Sequence, residues 1–177
     1  MKQALVIIDV QQGMFAEPEM PPFDGEAVVT RIRSLLNLAR NADVPVIFIQ
    51  HDGGEGHPLS SDSPGFAYHP RLMPMLGETV IVKRHCNAFQ DTRLAGHLRS
   101  EAIDHLTVCG MQTQYCVDTF VRAAVDRGFH IRLVSDAHTT FGTTILSADS
   151  IIAHHNDVLN GSFASLELAS EVQFVAS

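Results

Sequence analysis

The sequence predicts an α/β fold: a three-layer, doubly wound parallel sheet with helices on both faces. Three observations carry this reading. Residues 4–8 and 44–49 are nearly unbroken apolar runs rich in Val and Ile, the pattern of strands buried on both faces. Segments with apolar residues at i, i+3, i+4 and i+7 separate successive strand-like runs. Two strands flanking one helix make a right-handed βαβ crossover, and repeated alternation of this kind builds a parallel sheet.

Taken in order, residues 4–8 form the first strand, closed by Asp9. Gln11, Gln12 and Phe15 follow in a loop that contains Pro18, Pro21 and Pro22. Asp24 is placed to cap a helix over 25–40, whose stripe is Val28, Ile32, Leu35, Leu36 and Ala39. The second strand spans 44–49. Residues 50–70 form a long loop with His51, His57 and His69; a loop of that length in a compact domain is usually functional or mobile. Residues 79–82 form a short strand ending at Lys83. Asp91 or Thr92 then caps a helix with Leu94, Ala95 and Leu98 on one face. Residues 103–109 are the next strand, and the helix after it carries Val117, Phe120, Val121, Ala124 and Val125, with Thr113 as expected N-cap and Gly128 as stop. A strand at 131–134, a loop opened by Asp136-Ala137-His138, a helix over 145–155 and a last strand at 172–175 complete the chain.

Composition narrows the function classes. A chain of 177 residues fits one domain, 1–177, with a full core. The net charge is −8 without a basic cluster, so nucleic acid is not an expected partner. Three cysteines without paired spacing fit reduced thiols in a cytoplasmic protein. No apolar run reaches the roughly 18 residues of a membrane span. The first apolar run is interrupted by Asp9, Gln11 and Gln12, so a secretory leader is not expected.

The candidate chemistry lies where strands end. Residues 106–117 pass from a strand through Gly110 into a helix, which puts Cys116 in the first turn. Amides and the macrodipole at a helix N-terminus favour an anion, so this thiol is expected to ionise more readily than a free one. Asp9 directly follows five apolar residues. Lys83 is one of only two lysines, beside ten arginines. A lysine closing a strand is a compact point charge able to pair with a thiolate or carboxylate. All three follow parallel strands and share one sheet edge, where open α/β sheets bind ligands. Each also has a structural reading: Cys116 as a small buried hydrophobe, Asp9 as a cap, Lys83 as a solvated strand end.

These residues carry a resemblance. Leu5-Val6-Ile7-Ile8-Asp9-Val10-Gln11, Lys83 followed by Ala88-Phe89 and Thr92-Arg93-Leu94, Val108-Cys109-Gly110-Met111-Gln112-Thr113 leading to Cys116-Val117, and Asp136-Ala137 are together similar to the isochorismatase-like cysteine hydrolase superfamily. That family includes nicotinamidase and N-carbamoylsarcosine amidase, and the likeness runs nearly the whole chain. It implies a six-stranded sheet of order 3-2-1-4-5-6 and a catalytic triad at Asp9, Lys83 and Cys116. It also implies a cis peptide at Met111-Gln112 and an oxyanion hole from the backbone N–H groups of Gln112 and Cys116. The chemistry implied is hydrolysis of a C–N bond in a small amide or ureide through a thioester, with no cofactor, in a homodimer or homotetramer.

Competing readings remain at this level. Some relatives cleave a vinyl ether by protonation, and some of those lack the thiol. A reactive-thiol sensor or binding subunit would need a resolving cysteine, for which Cys86 and Cys109 are the candidates. The nicotinamidase branch places an aspartate and histidines after the second strand; this chain has Gln50-His51-Asp52 there, with His57 further on, so no metal is expected. Phe15, Phe66, Tyr68, Tyr115 and Phe141 are expected to line the pocket or to pack in the core. Cys116→Ala, Asp9→Asn and Lys83→Ala are each expected to abolish turnover and leave the fold intact.

Overall fold

A computed structural model describes residues 2–175. Six parallel strands form one sheet in the order β3-β2-β1-β4-β5-β6: β1 Gln3–Ile8, β2 Val46–His51, β3 Thr79–Lys83, β4 His105–Met111, β5 His130–Thr139 and β6 Ser165–Glu167. Four helices connect them: α1 Gly25–Asn41, α2 Leu94–Ser100, α3 Asp118–Val125 and α4 Ala148–Leu159. The sheet order implied by the resemblance is the order observed.

The pleat of β1 divides the core. Ala4, Val6 and Ile8 face one layer with Leu94 and Leu98 of α2, Phe120, Val121 and Ala124 of α3, and Leu159 of α4. Leu5 and Ile7 face the other, under Val28, Ile32, Leu35, Leu36 and Ala39 of α1. Successive side chains on a strand point to opposite faces, so a central strand must be apolar throughout to serve two layers. Burying each such Leu or Ile contributes about 1.5–3 kcal/mol.

Several element ends differ from the sequence reading. β2 continues to His51 because β3 offers a rung to each residue from Ile47 on, up to His51 opposite Lys83. β5 runs to Thr139, so Asp136, Ala137 and His138 lie in a strand rather than a loop. The last strand is Ser165–Glu167, paired with Arg132–Val134 of β5; residues 172–175 are unpaired, and Val172 instead packs beneath the α1 layer. Helix α4 starts three residues later than expected, after Ser147. Asp24 occupies the N-cap position of α1 without capping it, because its carboxylate takes an Arg31 guanidinium N–H at 2.9 Å. Thr92, not Asp91, serves the first turn of α2, accepting the Leu94 N–H at 3.3 Å.

Candidate active site

Asp9 follows β1 in a left-handed backbone conformation, φ +50°, which aspartate tolerates better than most side chains. Its N–H bonds Ile49 O at 3.0 Å, and Gln11 N–H returns to Asp9 O at 3.0 Å. This tight turn sets the carboxylate at the sheet edge. Gln11, fully buried, braces the neighbouring strand: Oε1 accepts His51 N–H at 2.8 Å and Nε2 donates to His51 O at 3.0 Å.

Lys83 ends β3, two strands away from β1. Neighbouring strands lie about 4.8 Å apart, so only a long side chain crosses β2 to reach Asp9. Its ammonium meets Asp9 Oδ2 at 2.7 Å, Cys116 Sγ at 3.1 Å and His51 Nδ1 at 3.2 Å. Three acceptors use its three protons. Asp9 and Lys83 are sealed from solvent, and Cys116 is 8% exposed.

The turn carrying Cys116 is a π-helical turn, Thr113–Val117, rather than the first turn of an α-helix. Val117 N–H reaches back five residues to Gln112 O at 3.2 Å. Thr113 is not an N-cap. Its hydroxyl pairs with His138 Nδ1 at 2.9 Å, while His138 Nε2 meets Asn156 Oδ1 at 2.9 Å and Asn156 Nδ2 donates to Ser135 O. Asn156 Oδ1 is an acceptor, so His138 carries its proton on Nε2 and Thr113 donates. The Met111-Gln112 peptide is cis. Among the described residues no acceptor takes the Gln112 N–H.

The electrostatics correct one expectation. Burial, then the Asp9 charge, push the Cys116 thiol up, and these outweigh the opposing pull of Lys83. The resting sulfur is therefore a protonated thiol beside an Asp9–Lys83 ion pair. Burial pulls Lys83 down, but Asp9 and Cys116 more than reverse it, and the amine stays charged. Asp9 Oδ1 is buried without a hydrogen-bond partner. Burial first, and Lys83 second, lower His51, which keeps it neutral and leaves Nδ1 free to accept from the ammonium.

A pocket of about 150 Å³ opens onto the sulfur, lined by Asp9, Met14, His51, His57, Tyr115 and Cys116, among others. Of the five aromatics proposed from sequence, Tyr115 alone lines it. Phe141 lines an adjoining cleft of about 540 Å³ with Met20 and Phe23, and Met14 borders both spaces. Phe15 is turned away, its ring edge-to-face on His69 at 4.9 Å. Tyr68 packs edge-to-face on Phe48 at 5.5 Å. Phe66 contributes its carbonyl, which takes the amides of Gln11 and Gln50. Asp52 does not join the histidines: Oδ1 takes the Gly54 and Ser61 N–H groups, and Oδ2 pairs with Arg84 at 3.0 Å. Among the described residues no cluster of three His, Cys, Asp or Glu is arranged to hold a metal ion. Asp136, too, is occupied elsewhere, by Ala169 N–H at 2.8 Å and Arg31 at 3.3 Å. Cys86, exposed at the pocket mouth, Cys109 and Cys116 are all free thiols. No helix among the described residues is long and apolar enough to cross a membrane.

The isochorismatase domain family matches residues 3–151. The chain belongs to the isochorismatase family. It is 35% identical over 175 residues to the isochorismatase family protein YddQ of Bacillus subtilis, covering 94% of this chain and 96% of that one. It is 28% identical over 154 residues to the ureidoacrylate amidohydrolase RutB of Yersinia enterocolitica, covering 67% of each. Among solved structures, an isochorismatase from Pseudomonas putida KT2440 superposes with a TM-score of 0.90 at 31% identity, over 96% of this chain and 89% of the other. The chain is thus an isochorismatase-family hydrolase.

The sequence reading put His51 and His138 in loops and Thr113 at a cap, and so missed the contacts each makes at the site. The strand end at His51 depends on β3, which is distant in sequence. The local pattern made Thr113 a cap, when its partner lies 25 residues away.

Proposed function

We propose that this isochorismatase-family hydrolase cleaves a C–N bond of a small amide or ureide through a thioester on Cys116. The observation that carries the reading is the three-way meeting at Lys83 Nζ, which gathers an acid, an ammonium and a sulfur into one buried cluster.

Proton movement inside that cluster is electrically economical. In the resting state Asp9 is negative, Lys83 positive and Cys116 neutral. Passing the thiol proton to Asp9 gives a neutral acid, the same ammonium and a thiolate, so the net charge is unchanged. A buried site that kept a second net charge would be penalised heavily. The unpartnered Asp9 Oδ1 is the natural acceptor, and the ammonium already faces the sulfur that becomes negative.

The thiolate then attacks the carbonyl carbon, forming the C–S bond and moving the carbonyl π electrons onto oxygen. The oxyanion is received by the backbone N–H groups of Gln112 and Cys116; one such donor is worth about 10²–10³ in rate. Collapse breaks the C–N bond, Asp9 returns its proton to the departing nitrogen, and an acyl thioester remains. Asp9 next takes a proton from water as that water attacks the thioester. Collapse breaks the C–S bond, and the sulfur recovers the proton from Asp9. The scissile group occupies the small pocket, and the rest of the substrate extends past Met14 into the apolar cleft by Phe23 and Phe141. The amidohydrolase activity named for RutB supports C–N chemistry.

The test is a panel of amides and ureides, followed by amine or ammonia release and by intact mass. Wild type should accumulate an acyl group on Cys116, and Cys116→Ala should lose at least about 10³-fold in turnover. Activity that survives Cys116→Ala would overturn the thioester route in favour of ether cleavage by protonation.

A further inference from the structure

His51 ends β2 directly opposite Lys83. Its backbone is held from both sides by the Gln11 amide, so the ring has a fixed root. Its Nδ1 lies 3.2 Å from an ammonium that has only protons to offer, so Nδ1 is an acceptor. A neutral imidazole that accepts at Nδ1 carries its proton on Nε2. That Nε2–H has no protein partner among the described residues, and the ring lines the pocket over Cys116.

The same logic applies to His57. Its Nδ1 accepts the Leu59 N–H at 3.0 Å, which leaves Nε2 to carry the proton. Its ring lies edge-to-face to His51 with centroids 6.0 Å apart, on the wall of the same pocket. Two imidazoles, each with Nδ1 engaged as an acceptor, therefore line the pocket that opens onto the sulfur.

We propose that His51 steadies Lys83 through Nδ1 and offers Nε2–H to an oxygen of the substrate, with His57 as a second donor. The substrate class is an amide or ureide that carries a further carbonyl or carboxylate oxygen near its scissile C–N bond. This deepens the hydrolase reading and rests on it. Asp9 and Lys83 cancel in charge, so the donors meet no competing net charge within the pocket. A hydrogen bond from a neutral donor to a carboxylate oxygen is worth roughly tenfold or more in affinity.

Two substitutions separate the roles of the ring. His51→Asn keeps an acceptor near Nδ1 and removes the Nε2 donor. His51→Gln keeps a donor near Nε2 and removes the acceptor that faces Lys83. For an oxygen-bearing substrate, His51→Asn should raise KM about tenfold with kcat within about threefold, and the rise in KM should be smaller for an analogue lacking that oxygen. His51→Gln should lower kcat about tenfold or more and hold KM. Nitrogen-15 histidine NMR of the resting protein should show His51 and His57 protonated on Nε2. Protonation of His51 on Nδ1, or a His51→Asn variant with the KM of wild type, overturns the proposal. The NMR measurement needs no turnover, so it decides the tautomer even if Cys116 never acylates, an outcome that would instead strike the hydrolase reading.

Discussion

Asp9 Oδ2 and Lys83 Nζ lie 2.7 Å apart, and neither side chain exposes any surface to solvent. A buried pair of this kind responds asymmetrically to substitution. Removing one partner strands a charge in the interior and costs about 3–5 kcal/mol, whereas replacing both with apolar groups costs far less. Lys83→Ala should therefore lose about 3–5 kcal/mol in urea unfolding at pH 7, which amends the expectation of an intact fold. The double variant Asp9→Leu/Lys83→Met should be more stable than Lys83→Ala. Additive losses in the double variant would mean that the two charges do not depend on each other.

The thiol offers a separate test, because its two upward pushes can be divided. Burial and Asp9 both raise Cys116, and Lys83 opposes them. Asp9→Asn removes the carboxylate charge and leaves burial and the ammonium in place. The thiolate fraction should rise, so alkylation of Cys116 by iodoacetamide at pH 7 should accelerate, about tenfold for each unit by which the thiol falls. Turnover should move the other way and drop about 10²–10⁴-fold, since the proposed route moves its protons through Asp9. Alkylation as slow as in wild type would remove Asp9 as the group that keeps the sulfur protonated.

Gly110 is where β4 closes on β1. It sits at φ +125°, and an added Cβ would fall 2.1 Å from Ile8 O and 2.6 Å from Ile8 N. Both are backbone atoms of the strand that ends at Asp9, and neither can rotate away. Gly110→Ala should cost about 3 kcal/mol or more in chemical denaturation, by strain and strand separation together. Gly96→Ala is the control: it lies in α2 with no atom within 4 Å of its Cβ, and it should gain about 0.5–1 kcal/mol. Equal and small effects at both positions would contradict the close approach of the two strands.

The legible parts of the fold are those fixed by local pattern. Val6, Ile7 and Ile8 announce a strand buried on both faces, and the α1 stripe places its five apolar residues under the sheet. Asp9 and Lys83 stand out because a charge ending a buried strand has few local reasons to be there. What the sequence does not disclose is settled by distant partners. β2 runs on to His51 because Lys83 is its rung. Residues 172–175 resemble a strand, but β5 takes Ser165–Glu167 as its neighbour and leaves Val172 to fill the core. The helix-dipole argument for an acidic thiol fails because desolvation and a carboxylate act on Cys116 from residues that a local reading cannot bring together.

His138 ties the turn that carries Cys116 to Asn156 of α4, and its titration gives a pH window. The imidazole is 2% exposed, and burial above all lowers it to about 4 from an ordinary value near 6.5. Between those values the unfolded chain binds a proton that the folded protein refuses, so stability rises with pH across the window. The contribution is whole above about 6.5 and is lost as pH falls towards 4, a loss of about 3 kcal/mol at about 1.4 kcal/mol per unit. Protonation would place a proton on Nδ1 and reverse the bond, so that Nδ1–H donates to the Thr113 hydroxyl, which must then turn its own proton elsewhere. His138→Gln retains a donor for Asn156 but cannot titrate. Urea unfolding at pH 7 and pH 4.5 should show a difference for wild type that exceeds the variant's by about 2–3 kcal/mol. The same pH dependence in both proteins would mean that His138 binds its proton as readily in the folded protein as in the unfolded chain, so that burial does not oppose its charging.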